Sequence, residues 1–283
     1  GSAIGLGNIW RFPYMVGQNG GAAFILIYLF SALLLCVPIF ISESIIGKRT
    51  QLGTFGAMEA LAPGTKWKWV GFLTVVTPLI ILSYYSVVGG WSIEYLFKSL
   101  SFSFTSESLG YEAHSSAFGG FISSAWGPVV CHTLFMAGTV GVVIAGVRGG
   151  IEKFTKFTTP LLFLLIVMIM IYSLFLPGAS EGIRYMLHPD WSKITSSSVL
   201  AAMGQSFFSL SLGVGSILTY ASYLKREENL LVTGAFTSLS DLAFAIIAGF
   251  AIMPAVFAAG IEPGAGPGLI FEALPFIFSK MGA

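Results

Sequence analysis

The sequence predicts an all-α integral membrane protein in which two helices are interrupted. Composition is the first ground. Of 283 residues, 55% are hydrophobic and 10% charged, and mean hydropathy is +0.85, whereas a soluble domain carries roughly 25% charge. The second ground is the length of the apolar runs. Segments 22–47, 69–97, 126–147, 157–177, 196–224 and 230–259 each reach the ~20 residues that cross the hydrocarbon. The third is where glycines fall. Gly1, Gly5 and Gly7 crowd the apolar opening, and Ser209, Ser211, Gly213 and Gly215 sit in the middle of 196–224. Each interior glycine costs a helix about 1 kcal/mol relative to alanine. Open backbone inside a membrane survives only against protein or a cavity.

Taken in order, the segment before Asn19 is too short to span and reads as the second half of a helix. The five apolar runs between 22 and 224 follow, then 230–259. The stretch 268–281 is again short, and with Pro275 inside it reads as a re-entrant or capping hairpin. With the opening counted as span one, the second break falls in span six. That spacing predicts five-span repeats, the second inverted. Residues 1–177 would form the first, with its first helix partial. Residues 195–283 would begin the second, both within a single transmembrane domain 1–283. A complete unit would have at least ten spans, so the sequence reads as a fragment; a small natural protein of about six spans is the other reading.

Basic residues set the orientation. If the turn at Asn19 faces outside, Lys48, Arg49, Lys66, Lys68, Arg148, Lys153, Lys156, Lys225 and Arg226 fall in the cytoplasm, nine of the fourteen. Lys98, Arg184, Lys193 and Lys280 fall outside, and Arg11 lies on the half-helix. A net charge of +1 leaves no nucleic-acid footprint. Cys36 and Cys131 lie in apolar runs and read as small buried hydrophobes. The opening lacks a charged n-region, so no cleavable signal peptide is expected. No His-Glu-x-x-His, Cys-x-x-Cys, phosphate loop or nucleophile–base pair is present, so the chain is not expected to be an enzyme.

Few polar groups lie in the apolar segments. Asn8 follows the glycine break, and its side-chain carbonyl is a hard donor suited to a small cation; a helix cap is the equal alternative. Asp241 falls early in 230–259. A mid-membrane carboxylate costs about 2.5–3.5 kcal/mol on insertion scales, so it needs a partner unless it snorkels to the inner face. Glu43 reads as a buried structural hydrogen-bonder ahead of a transport role. Glu94 reads as a solvated carboxylate, and His132 as a packed residue.

The run Gly-Ser-Ala-Ile-Gly-Leu-Gly-Asn-Ile-Trp-Arg-Phe-Pro-Tyr closely resembles the first helix of the neurotransmitter:sodium symporter family, in its bacterial amino-acid transporter branch. The resemblance continues through 19–24, Ser83-Tyr84-Tyr85, 205–223 and 249–254, and covers essentially the whole chain. This family is itself the standing example of broken helices at inverted repeats. The resemblance implies a leucine-transporter-type fold with helices one and six broken, in a multi-pass protein of the bacterial cytoplasmic membrane.

It also implies a function and a set of roles. The protein would import a hydrophobic or aromatic amino acid with sodium by alternating access, without chloride. The alternative is a substrate-gated channel or sensor on the same scaffold. One sodium site would use Ala3, Asn8, Ser209 and Asp241; a second would use the Gly1 and Ile4 carbonyls and is incomplete in this chain. Tyr28, Gln205 and Ser209 match the residues around an anion pocket. There Asp241 replaces an Asn and Ala245 replaces a Ser of chloride-dependent relatives. Gly5 stands where amine carriers place an Asp, which favours a substrate with its own carboxylate. That carboxylate would meet the Leu6 and Gly7 amides and the Tyr85 hydroxyl. Ile81, Phe208, Ser211 and Val214 would line the side-chain pocket, with Val214 where the leucine-type relative has Phe. Arg11 and Phe208 would gate the outside and Tyr223 the inside. The expected partners are an amino acid and the bilayer; a homodimer is left open.

Overall fold

The computed structural model describes residues 3–103, 110–225, 227–264 and 268–280. Among these, every element is helical. Bends at Ala3–Gly5 lead into a π-helical turn, Gly7–Arg11, and then α1, Phe12–Gln18. α2 (Ala22–Ser31) runs through a second π turn, Ala32–Cys36, into α3 (Val37–Thr50). α4 (Thr54–Leu61), α5 (Trp67–Leu100), α6 (Tyr111–Ser123) and α7 (Gly127–Ile144) follow. A third π turn, Val147–Ile151, opens α8 (Glu152–Leu174), and α9 (Ala179–Leu187) comes next. The chain then forms α10 (Ser196–Ser209), α11 (Ser216–Ala221), α12 (Leu230–Ala258) and α13 (Leu269–Lys280).

Five helices among the described residues are long and apolar enough to cross a membrane: Ala22–Thr50, Trp67–Leu100, Gly127–Ile144, Val147–Leu174 and Leu230–Ala258. The fifth apolar run, 196–224, is not one helix. α10 ends at Ser209, α11 begins at Ser216, and 210–215 are turns and bends. The interruption expected at 210–215 is therefore present, and residues 3–5, which lead into the first described helix, are not helical.

The second break has a definite backbone. Ser211, Gly213 and Gly215 take φ of 55°, 74° and 73°. Glycine adopts this left-handed region freely, while Ser211 does so against the usual steric preference. Both helices that frame site residues have ordered starts. Thr195 caps α10, its Oγ1 accepting from Ser198 N at 3.2 Å while Ser198 Oγ accepts from Thr195 N at 3.4 Å. Asn229 Oδ1 accepts from the first amides of α12. Such caps each hold about 1 kcal/mol.

α12 is the central element. It is buried along 67% of its most apolar window, against 6% for α7. Phe244, Ala245, Ala248, Ala251 and Ile252 are essentially fully enclosed. They join Phe12, Val16, Phe24 and Tyr28 in one hydrophobic cluster. This cluster fixes the first break against α12, one turn from Asp241.

Four features differ from the sequence reading. α4, α6 and α9 are ordered helices inside stretches that carried no spanning signal. The run expected at 157–177 begins ten residues earlier, at Val147, because its first turns carry Arg148, Glu152, Lys153 and Lys156 at the membrane surface. α13 continues through Pro275 as one helix instead of turning within 268–281. Glu94 is three-quarters covered and pairs with Lys98 at 3.3 Å, so it is not a solvated carboxylate.

Candidate functional site

Asn8, Ser209 and Asp241 come from the first break, the end of α10 and the middle of α12, and they meet in one buried cluster. Asn8 and Asp241 are fully enclosed and Ser209 is 2% exposed. Asn8 Nδ2 donates to Asp241 Oδ1 at 2.8 Å and Ser209 Oγ donates to Oδ2 at 2.6 Å. Weaker bonds run from Asn8 Nδ2 to Ser209 Oγ and to the Asp241 carbonyl. The Asp241 carboxylate thus has a donor on each oxygen, and charge-assisted bonds of this kind are about twice as strong as neutral ones. Asn8 Oδ1 accepts only a long bond, 3.3 Å, from Gly5 N. The cluster is a set of hard oxygens around one negative charge, the donor chemistry that a small cation needs. Which amide atom of Asn8 faces the carboxylate is assigned from the hydrogen-bond network. Turning the amide over presents Oδ1 to an entering cation.

Tyr28 lies beside this cluster. Its ring packs on Phe12 at 5.0 Å, and its buried hydroxyl, near Ser209 and Asp241, meets hydrogen-bond geometry with neither. Gln205 is engaged elsewhere. Its Nε2 donates to the Gly7 carbonyl at 3.2 Å and its Oε1 accepts from Arg11 at 2.5 Å. The structure therefore brings Tyr28 and Ser209 to Asp241 and gives Gln205 to the first helix. Ala245 is fully buried one turn beyond Asp241.

A cavity of about 270 Å3 opens next to the cluster. It is lined by Ala3, Gly5, Gly7, Ile81, Tyr85, Phe208, Ser209, Ser211 and Val214, together with Pro78, Phe207, Leu212 and Ser216. Its volume suits a small molecule, below the range of about 300–1,000 Å3 usual for drug-sized ligands. The Tyr85 hydroxyl lies beside the first break, 3.8 Å from where a Cβ on Gly5 would stand. Leu6 is the one expected substrate contact absent from the lining. Its side chain faces a separate cavity of about 320 Å3 with Ile9, Trp10 and Tyr95. A side chain at Gly7 would crowd the cavity, while one at Gly5 would start at ordinary contact distance. A Cβ at Gly7 would stand 3.3 Å from the Phe208 ring, and one at Gly5 would stand 3.8 Å from the Tyr85 hydroxyl.

Phe208 packs against Tyr85 at 6.2 Å between centroids, and the Arg11 guanidinium lies 4.6 Å above its ring. Arg11, Phe208 and Gln205 thus form one contact group, of which Phe208 lines the cavity. Tyr223 stands apart from them, half exposed on the turn after α11. Ile4 packs against the main hydrophobic cluster, and Gly1 lies outside the described residues. Glu43 Oε1 accepts from Gly213 N at 2.8 Å, so a carboxylate of α3 holds the backbone of the second break. His132 bonds Ser86 at 2.9 Å across α5 and α7.

Pro78, Phe207, Leu212 and Ser216 were missed in the sequence. Pro78 was findable, since Pro78, Ile81 and Tyr85 recur at spacings of three and four on α5 and share a helix face. The other three belong to the break, where no periodicity tells which way a side chain points.

The comparisons agree with this architecture. The sodium:neurotransmitter symporter family model matches residues 1–118 and 120–282. A sodium-dependent transporter of Bacillus subtilis (strain 168), YhdH, described as uncharacterized, is 40% identical over 281 residues. The match covers 99% of this chain and 62% of that protein. A similar protein of Haemophilus influenzae is 36% identical over 291 residues, covering 100% and 64%. The crystal structure of MhsT in complex with L-phenylalanine is 45% identical with a TM-score of 0.94, covering 99% of this chain and 63% of that one. The chain thus spans a little under two thirds of the proteins it matches, and over that length it has the leucine-transporter-type fold of a multi-pass membrane protein. Matched from end to end, with the break at 210–215 in place, the chain belongs to the sodium:neurotransmitter symporter family, whose members are transporters and not enzymes.

Proposed function

We propose that the full-length protein carrying this chain is a sodium-coupled symporter. It imports a hydrophobic or aromatic amino acid across the bacterial cytoplasmic membrane by alternating access. The observation that carries this reading is the Asn8–Ser209–Asp241 cluster beside a cavity floored by Gly5 and Gly7. Sodium binds among Asn8 Oδ1, Ser209 Oγ, the Asp241 carboxylate and the Ala3 carbonyl, replacing the hydrogen bonds that now satisfy them. A second sodium would use the carbonyls of Ile4 and Gly1. The substrate carboxylate lies against the free amides of the first break, where the half-helix dipole favours an anion. It also accepts from Tyr85. Arg11 and Phe208 cover it from outside, and Tyr223 acts at the inner end.

Sodium and substrate then share one polar centre, so each raises the affinity of the other by the same factor. Each sodium moving inward through ~100 mV contributes about 2.3 kcal/mol, roughly a fifty-fold accumulation. The likeness in fold and sequence to MhsT, a protein solved with L-phenylalanine, supports an aromatic amino acid as cargo. A panel of amino acids tested for sodium-dependent uptake into proteoliposomes decides the reading. Accumulation above the outside concentration, driven by a sodium gradient, is expected. Flux that only equilibrates would identify a channel instead.

Two further outcomes follow from the cavity and the carboxylate. Asp241 supplies a fixed negative charge where chloride-dependent relatives have an Asn, so replacing chloride by gluconate should leave uptake unchanged. Uptake that falls to background in gluconate would refute that role. Val214 lies in the cavity wall, and Val214→Phe fills space there. Competition binding should show aromatic substrates weakened about tenfold or more while small aliphatic ones are spared. Unaltered selectivity would remove Val214 from the pocket.

A further inference from the structure

A third cavity, of about 150 Å3, opens where the ends of α3, α11 and α12 meet. The basic residues mark this end as cytoplasmic. Phe40, Ile217, Leu224 and Leu230 make its walls apolar, while Tyr220, Thr233 and Thr237 add hydroxyls. These hydroxyls are unusual in this chain. Thr77, Thr139, Thr155 and Thr158 each donate to a carbonyl one turn back. The side chains of Tyr220, Thr233 and Thr237 make no hydrogen bond to any described residue. Polar groups left open toward an apolar slot call for an occupant that brings acceptors.

Depth says which acceptors are near. α12 has 29 residues, or ~43 Å at 1.5 Å each, against a hydrocarbon core of ~30 Å. Its first four or so residues therefore lie at headgroup level. Thr233 sits there, and Thr237 follows one turn deeper. This is the level of glycerol esters.

The mouth is basic. Lys48 lies one turn beyond Ser44, which lines the slot, and its Nζ donates to the Glu228 carbonyl at 2.5 Å. Lys225 is exposed next to Leu224, whose carbonyl is tied to Gln51 at the end of α3. Among the described residues neither Lys225 nor Arg49 has an ion pair. Glu227 and Glu228 are exposed on the same connection, and their carboxylates bond none of these cations.

We infer that this slot holds one anionic phospholipid of the cytoplasmic leaflet. The upper part of one acyl chain lies between Phe40, Ile217 and Leu230. The ester oxygens accept from Thr233, Thr237 and Tyr220, and the phosphate sits at Lys225, with Lys48 beside it. The site is independent of the cation cluster and of the proposed transport.

The test uses the full-length protein, purified in detergent, stripped of lipid and titrated with phosphatidylglycerol or phosphatidylcholine while bound lipid is read by native mass spectrometry. One phosphatidylglycerol should be retained in preference to phosphatidylcholine. Lys225→Gln, an exposed change that spares the fold, should lower phosphatidylglycerol retention about fivefold and leave phosphatidylcholine unaffected. Thr233→Val with Thr237→Val should weaken both lipids. A phosphatidylglycerol carrying a diazirine in its acyl chain should label peptides of α3, α11 or α12. Equal retention of the two lipids, retention that Lys225→Gln does not change, or label confined to other helices overturns the inference. So does a cross-link showing the slot filled by another segment of the protein.

Discussion

Asp241→Asn is expected to lower sodium-dependent substrate binding by two decades or more. The side chain keeps its volume, so packing against Asn8 and Ser209 is retained, while the charge and one of the two acceptor oxygens are lost. A cation held among Asn8, Ser209 and residue 241 would then be buried without a counter-charge. Breaking a buried ion pair from one side costs about 3–5 kcal/mol, or roughly two to nearly four decades in affinity. Asp241→Ala carries a second effect. It leaves Ser209 Oγ without its acceptor, at about 1–3 kcal/mol, and Asn8 Nδ2 with only its two longer bonds, and should lower thermal stability even without sodium. Sodium titration of substrate binding, read beside melting temperature, separates the two. An Asp241→Asn protein that binds sodium and substrate as the parent does would end the assignment of this cluster as the cation site.

Gly5→Asp is the second large effect, and it tests the substrate's chemistry. A Cβ at position 5 stands at ordinary contact distance from the Tyr85 hydroxyl, 3.8 Å, so the protein has room for the longer side chain. The cargo does not. The new carboxylate would face the substrate carboxylate at about 4 Å, where like charges repel by about 4 kcal/mol at an effective dielectric near 20. Binding of phenylalanine should fall by about three decades, while phenethylamine, which lacks the carboxylate, should gain relative to it. Competition between the two ligands in sodium buffer measures this directly. If phenylalanine binds Gly5→Asp as well as before, its carboxylate does not lie at the first break.

Both experiments rest on features that were legible before any coordinates. Glycine clusters located the break at 210–215 and the non-helical residues 3–5 because no side-chain contact repays several glycines within one or two helical turns. Asp241 was legible because a carboxylate in an apolar span requires a partner, and Asn8 and Ser209 supply one. Long apolar runs fixed the spans to within a few residues, except where charge at the membrane surface hid the start of the α8 span.

Other parts were not legible. α4, α6 and α9 are too short or too polar to register as spans, and their stability comes from what they pack on. Gly71, for example, lies directly against the backbone of Thr54 and Phe55. The pairing of Gln205 with Arg11 joins positions 194 residues apart, which no local pattern encodes. The continuation of α13 through Pro275 is likewise tertiary, since α6 lies alongside it and Tyr111 donates to Glu272 at 2.7 Å.

That long-range pairing has a mechanical meaning. Gln205 grips the Gly7 carbonyl with one end of its amide and Arg11 with the other, while Arg11 lies flat on Phe208. The outer stub of the first rod and the adjoining end of α10 are thereby strapped into a single lever. If the proposed transport rocks this region, a lever so strapped would turn at the glycine-rich gaps, with the Arg11–Gln205–Gly7 triangle carried along intact.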